Sequence, residues 1–448
     1  MEEHGDQTQL LPDDVLAAVL ARLAPRDLAT SRCVCKPWRD TIDARRILRA
    51  DLLPHSLAGF FINFNDLRYS EFFSRPPSPS PSESEGPGIQ EKELIYLTMQ
   101  AHCNGLLLVR DTVANPATGW TAPLPPSPPK TPGMECFIHD AYLAYDPTLS
   151  PHYQVLLLPR VPYIELDIEP DEYPLNILDP AMFELEWPPS SCVLRVFSSF
   201  TNRWEEKAFS RVGEAAGTVL ELGIADIGND STAVYWHGAL YVQCQKGFVL
   251  RLSLSSNTIQ VIKPPGDLEP ESCEIMHHLG KSRKGVYYAS IKDSYRLQVW
   301  VLNESCAYTK WELEHDRHFN LLLNDGQQVY GPWILQDVNY NNEEYINVNG
   351  DDGTTVVQGN FRWDSDDDEE EGDAKDLVDK FNGGISILGF HPFKEIVFLS
   401  ADLSRGLAYH LNTSKIQHLG NLCPKHYHGI TRHGFIRASF PYTPCWME

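Results

Sequence analysis

Residues 10–42 contain three short segments whose apolar side chains repeat with helical spacing. The first predicted helix carries a broad apolar stripe at i, i+1, i+4, i+5 and i+8, formed by Val15, Leu16, Val19, Leu20 and Leu23. Pro12 suits the first turn of this helix, Pro25 ends it, and Pro37 opens a third helix. Fewer than about 40 residues rarely bury enough apolar surface to be stable alone. The stripe therefore predicts either the first layer of a larger domain or a docking surface for another protein.

The same stretch has a specific order of residues. Leu11-Pro12 is followed by paired aliphatic residues, a second helix and the ending Cys33-Val34-Cys35-Lys36-Pro37-Trp38-Arg39. This order resembles the F-box family, and the resemblance implies binding to a Skp-type adaptor and, through it, to a cullin-based ubiquitin ligase. The residues that would form or support the adaptor-facing surface are Leu11, Pro12, Val15, Leu16, Leu20, Leu23, Leu28, Val34 and Trp38. Some of them must also pack the three helices together, and the sequence leaves that division open.

Composition and charge narrow the class of protein. The 448 residues, 42% hydrophobic and 22% charged, are enough for one small module and one large globular domain. No run of about 18 apolar residues predicts a membrane helix, and the acidic start of the chain is unlike a signal peptide. The ten cysteines form no CxxC pair, so we expect reduced thiols and a location in the cytoplasm, the nucleus or both.

The net charge of −24 lies after residue 50. Residues 1–50 hold eight acids and eight Lys or Arg, which leaves 53 acids against 29 bases in residues 51–448. Such a surface repels nucleic acid and anionic membranes. We therefore predict neither as a partner.

From Leu57 onward the composition changes to aromatic and β-branched runs separated by turns, which predicts an all-β domain. A hydrophobic run, a turn with threonine and a second hydrophobic run recur along it. The turn threonines are Thr118, Thr201, Thr258, Thr309 and Thr413, separated by 83, 57, 51 and 104 residues. With an insertion at residues 161–190 and one further unit near residues 361–363, these steps predict six units of about 50–57 residues. That is the size of a kelch-type propeller blade.

These repeated stretches resemble the F-box-associated β-propeller of plant F-box proteins, and residues 389–422 with 439–446 resemble a large grass-type family. The two resemblances imply a small all-α, three-helix F-box module at residues 8–53. They imply a large all-β domain at residues 54–445, a kelch-like β-propeller of about six blades in a range of six to eight.

Three segments interrupt the repeat and are predicted loop insertions at residues 74–91, 161–190 and 364–384. The first is rich in Pro and Ser, and the third begins with a dense acidic run. The second holds eight acids and no Lys or Arg, and its aromatic residues are candidates to bind a target. Those candidates are Tyr163, Tyr173, Phe183 and Trp187.

No catalytic motif, cofactor site or metal site is evident in the sequence. We therefore predict a non-catalytic substrate receptor of a ubiquitin ligase, in which the F-box binds the adaptor and the propeller binds an unidentified target protein. The alternatives are a scaffold that works outside the ligase, or a propeller that binds a small ligand or acts as an enzyme. Fold alone does not identify the ligand.

Overall fold

The computed structural model describes residues 12–23, 28, 31, 34–45, 47, 56–76, 98–130, 133–164, 179–224, 232–265, 276–292, 295–305, 308–319, 331–341, 384–401, 403–432 and 434–445. Within these ranges the helices are α1 (Asp13–Leu20), α2 (Lys36–Ala44), α3 (Val219–Gly223), α4 (Val338–Asn341) and α5 (Tyr427–Ile430). Leu28 and Ser31, between α1 and α2, are also helical. Among the helices of the described residues, only α1 and α2 exceed five residues, and both precede the strands.

The strands of the described residues follow in chain order. They are β1 (Gly59–Phe64), β2 (Glu71–Ser74), β3 (Met99–Cys103), β4 (Leu106–Val109), β5 (Thr112–Asn115), β6 (Trp120–Pro123), β7 (Ile138–Ala144), β8 (Gln154–Arg160), β9 (Glu186–Trp187), β10 (Ser191–Ser198), β11 (Arg203–Val212), β12 (Gly217–Thr218), β13 (Ala233–Trp236), β14 (Ala239–Gln243), β15 (Val249–Ser253), β16 (Thr258–Ile262), β17 (Met276–Ser282), β18 (Gly285–Lys292), β19 (Arg296–Ser305), β20 (Tyr308–His318), β21 (Ile334–Leu335), β22 (Ile385–Phe390), β23 (Ile396–Ala401), β24 (Arg405–His410), β25 (Ile416–Asn421) and β26 (Ile436–Tyr442). The prediction of a large all-β region after the N-terminal helices is confirmed.

Antiparallel pairing arranges these strands in groups of four. In order of pairing they are group 1 (β3-β4-β5-β6), group 2 (β7-β8-β10-β11), group 3 (β13-β14-β15-β16), group 4 (β17-β18-β19-β20), group 5 (β22-β23-β24-β25) and group 6 (β26-β1-β2-β21). Groups 2 and 3 join into one eight-stranded sheet, because β11 and β16 pair in parallel. β9 and β12 form a separate two-stranded ribbon.

The hydrophobic core of the β region lies between the groups. Within the described residues each consecutive pair of groups packs together through one buried cluster. The pairs are groups 1 and 2, 2 and 3, 3 and 4, 4 and 5, and 5 and 6. A sixth cluster, which includes Phe61 and Tyr442 of group 6 and Leu107 of group 1, packs the last group against the first. The six groups therefore follow one another around a closed ring.

Group 6 closes the ring by combining both ends of the β region. β1 pairs antiparallel with β26, so that Gly59 lies opposite Tyr442 and Phe61 opposite Phe440. The sequence predicts that residues 59–64 meet residues 435–440, and this pairing is confirmed. The fourth strand of the group, β21, comes from a distant part of the chain and pairs with β2.

The turn threonines occupy equivalent positions. Four of the five lie in, or directly after, the turn between the third and fourth strands of groups 1, 2, 3 and 5, and Thr309 is the second residue of the fourth strand of group 4. In two of these turns Asn202 and Asn257 adopt positive φ angles of 53° and 52°, a conformation that asparagine tolerates better than most residues. The further unit expected near residues 361–363 lies outside the described residues.

The predicted insertions fall between strands. Most of residues 74–91 and almost all of 364–384 lie outside the described residues. The segment 161–190 separates β8 from β10 within group 2, and only its residues 161–164 and 179–190 are described.

Candidate functional site

The N-terminal helices have a small core of their own. Four side chains are buried together: Leu16 and Leu20 of α1, Leu28 from the segment between the helices, and Ile42 of α2. The partly buried Trp38 and Ile47 pack against them. Leu16 and Leu20 face this core because they lie one turn apart on α1, and Trp38 and Ile42 repeat that spacing on α2. The described part of the module thus closes around four buried side chains.

Local sequence determines where the two helices begin. The carbonyl oxygen of Pro12 accepts hydrogen bonds from the amides of Val15, at 2.9 Å, and Leu16, at 3.0 Å. Pro37 lies in the first turn of α2, where a missing backbone N–H costs no helical hydrogen bond. An ion pair between Asp14 and Arg45 links the start of α1 to the end of α2. Because both side chains are exposed, this pair contributes little stability.

Four large aliphatic side chains of the module face solvent instead of this core. Exposed fractions are 45% for Val15, 50% for Val19, 37% for Leu23 and 62% for Val34. Val15 and Val19 lie one turn apart on α1 and are therefore neighbours on its outer face. A module this small rarely exposes several large aliphatic side chains unless another molecule covers them. We call these four residues the outer apolar face.

The structure divides the nine residues predicted for adaptor binding. Val15, Leu23 and Val34 belong to the outer apolar face, and Pro12 is exposed beside α1. The buried residues, Leu16, Leu20 and Leu28, form the core instead and can only support the surface. Trp38 is partly buried against that core, and Leu11 lies outside the described residues. Val19 is not among the nine predicted residues. Its spacing of four from Val15 is the sequence pattern that would have placed it on the same face of the helix.

The aromatic residues of the segment 161–190 do not form one exposed surface. Tyr163 is 46% exposed and Phe183 is partly buried. Trp187 is buried, and its ring stacks on that of Phe137 with centroids 4.9 Å apart. In this structure the ring of Trp187 is therefore covered by the cluster between groups 2 and 3 and is not part of an exposed binding surface. Tyr173 lies outside the described residues.

Among the residues that the structure describes, no three His, Cys, Asp or Glu side chains are grouped to hold a metal ion. No helix in these ranges is both long enough and apolar enough to cross a membrane.

Comparison with known proteins identifies the helical module. Residues 9–50 match the F-box domain, so an F-box domain lies at the N terminus. An F-box protein of Arabidopsis thaliana is 28% identical over 104 residues, which are 23% of this chain and 28% of the relative. The chain thus matches under a third of the length of this relative.

Two solved structures cover much more of the chain at far lower identity. A structure of YCF48 bound to D1 peptide has a TM-score of 0.26 and 8% identity, over 82% of this chain and 83% of that one. A prolyl endopeptidase structure has a TM-score of 0.26 and 11% identity, over 95% of this chain and 56% of that one. Both TM-scores are too low to carry an argument about fold or function.

Proposed function

We propose that this chain is the substrate-recognition subunit of a Skp–cullin–F-box ubiquitin ligase. The observation that carries the proposal is the outer apolar face, which lies within the segment that matches the F-box domain. F-box domains in general bind Skp1-type adaptors in cullin complexes and are typically not catalytic. The proposed role of the chain is accordingly to bring a target protein to a separate catalytic subunit.

The size of the outer apolar face is adequate for adaptor binding. Complete burial of a Val or Leu side chain contributes about 1.5–3 kcal/mol relative to full exposure. Val15, Val19, Leu23 and Val34 are each roughly half exposed, so covering all four contributes on the order of 3–6 kcal/mol. That contribution comes from side chains that the F-box core does not use.

The β region is the proposed target-binding part. Its six groups, packed face to face in a closed ring, support a kelch-like propeller of six blades that extends over residues 54–445, after an F-box at residues 8–53. The resemblance to grass-type plant F-box proteins supports the same organisation. A ligase of this kind works in the cytoplasm, the nucleus or both, and we propose that location.

Adaptor binding through the outer face can be tested by Val15→Asp combined with Val19→Asp. Two unpaired charges on the outer face of α1 should weaken capture of a purified Skp-type adaptor on the order of a hundredfold or more. The helices should stay folded, because neither valine belongs to the buried core. The measurement is a quantitative pull-down, with circular dichroism of the same samples.

A matched control replaces two exposed leucines of the β region, Leu149 and Leu185, with aspartate. It adds the same charge and should leave adaptor binding unchanged. Adaptor capture by the Val15 and Val19 variant at the wild-type level would refute the proposed surface. Adaptor capture without co-purification of cullin would favour a scaffold outside the ligase.

A further inference from the structure

The first strands of the six groups surround the axis of the ring. These inner strands, β3, β7, β13, β17, β22 and β26, contact one another in sequence around it. Their carboxyl ends meet at one end of the ring. The contacts there join Asn104 to Tyr145, Trp236 to Lys281, Ser282 to His391, and Gly105 to Cys445.

Lys281 spans this end of the ring. It lies on β17 of group 4, and its Nζ donates a hydrogen bond of 3.1 Å to Oδ1 of Asn104, which follows β3 of group 1. In a ring of six, groups 1 and 4 lie opposite each other, so this side chain reaches across the axis. The ammonium also lies 5.3 Å from the centroid of the Trp236 ring on β13, a distance typical of a cation–π contact.

One histidine, His102, lies near this lysine, and a second, His278, lies near His102. His102 packs against Phe440 with ring centroids 5.7 Å apart, and His278 against Phe390 at 6.2 Å. Burial, together with the nearby charge of Lys281, lowers the pKa of His102 to about 4. Burial and His102 likewise hold the pKa of His278 at about 4. Both imidazoles are therefore neutral at pH 7, and neither makes a hydrogen bond to another described residue through its ring nitrogens.

Lys281 differs from its neighbour on the same hairpin. Lys284 forms an ion pair with Glu314 at 2.8 Å, whereas no carboxylate of the described residues lies within ion-pair distance of Lys281. Burial lowers the pKa of Lys281, and the nearby Cys103 and Asp146 only partly oppose that effect. The carboxylate of Asp146 instead accepts hydrogen bonds from the amide and hydroxyl of Thr148. In a chain with 24 more acidic than basic side chains, a largely enclosed lysine with no carboxylate partner among the described residues is unusual.

We propose that Lys281, Asn104, Trp236, His102 and His278 form a binding site for a single carboxylate group carried by a protein segment. Lys281 supplies one full positive charge and spare N–H donors, the neutral imidazoles supply further donors, and Trp236 forms one wall. One charge matches a carboxylate better than a phosphate dianion, which usually binds several cationic groups. That this segment belongs to a ubiquitination target rests on the proposed function, but the carboxylate site does not.

The position of the site fits a role in target binding. The chain that leaves the F-box enters the β region at this same end, because the amide of Ala58 donates a 2.9 Å hydrogen bond to the carbonyl of Tyr442 at the end of β26. A segment held at Lys281 would therefore bind on the side of the ring where the F-box connection begins.

Saturation-transfer NMR on the full chain tests the site with N-acetylglycine, which carries one free carboxylate. The wild-type chain should bind it and should not bind the neutral N-acetylglycinamide. Lys281→Met should weaken binding about tenfold or more, because a charged hydrogen bond is lost. Lys281→Arg keeps the charge and should retain binding. Lys284→Met is the matched control, since it removes a charge from the same hairpin at an exposed ion pair.

Equal binding of the acid and the amide, or wild-type binding by Lys281→Met, would overturn the site. Displacement of N-acetylglycine by equimolar inorganic phosphate would overturn the preference for carboxylate. If Lys281→Met does not fold, the test uses the NMR signals of the His102 ring in the wild-type chain, which are assigned by comparison with His102→Gln. These signals should shift when N-acetylglycine is added and stay unchanged when N-acetylglycinamide is added. Adaptor capture by Lys281→Met should equal wild type, so failure of this site and failure of the ligase role give different results.

Discussion

The F-box module and the β region bury their apolar surfaces in different ways. The described part of the module encloses four apolar side chains and leaves the outer apolar face in solvent. In the β region each group covers both faces with neighbouring groups, and the sixth cluster joins the last group to the first. A ring needs no other molecule to complete its core, whereas three short helices do, because a small module has too much surface for its volume.

Deleting residues 430–448 is the most severe way to break the ring. The deletion removes β26, whose residues pair with β1 and whose Tyr442 packs in the cluster that joins groups 6 and 1. Exposing several large aromatic side chains should cost more than about 5 kcal/mol, which is comparable to the whole stability of an ordinary domain. Thermal melting followed by circular dichroism should lose its cooperative transition.

Deleting only residues 446–448 is the control for chain length, and it should leave the transition in place. An unchanged cooperative melt after the longer deletion would mean that the ring does not depend on pairing between its ends.

Leu16→Asp combined with Leu20→Asp tests the same comparison in the F-box module. Both leucines are buried in the F-box core, so two buried charges should unfold the helices, at a cost of more than about 5 kcal/mol. Adaptor binding should be lost together with amide protection in α1. Hydrogen exchange measures that protection, and the melting transition of the β region should not change.

The variant of Val15 and Val19 supplies the contrast, since it should lose adaptor binding while α1 keeps its protection. If the Leu16 and Leu20 variant keeps its helical amides protected, the division between core and outer face is wrong.

Glu71→Gln tests a single buried contact within the ring and should have the smallest effect. The carboxylate of Glu71 accepts hydrogen bonds from the Val338 amide at 2.6 Å, and from the Asn339 amide and side chain at 3.0 and 2.7 Å. These bonds attach α4, and with it β21, to β2. Glutamine replaces one acceptor with a donor that faces an N–H group, which should cost about 1–3 kcal/mol. Chemical denaturation measures the loss.

Glu214→Gln is the matched control for this substitution, because Glu214 forms only an exposed ion pair with Lys263 and should change stability by less than about 0.5 kcal/mol. Equal effects of the two substitutions would show that the buried carboxylate is not what holds α4.

Much of the fold follows from local patterns in the sequence. Helical spacing and the prolines predict α1 and α2, and the five turn threonines mark equivalent hairpins in groups 1 to 5. The meeting of residues 59–64 with the C-terminal strand follows from the need to pair the last edge of a ring. The position of the outer strand of group 6 could not be predicted, because β21 is two residues long and far in sequence from β2.

The sequence by itself indicated the N-terminal helices, the change to strands and turns after residue 57, and the resemblance of residues 8–53 to an F-box, because periodicity, turn residues and motif order are local properties. Only the tertiary structure decided which leucines of that motif are core, that Trp187 is covered, and that Lys281 meets Asn104 across the ring. Lys281 and Asn104 are 177 residues apart, and no local pattern distinguishes Leu16 from Val15. Such contacts depend on which surfaces pack together, and packing is established only when the whole chain has folded.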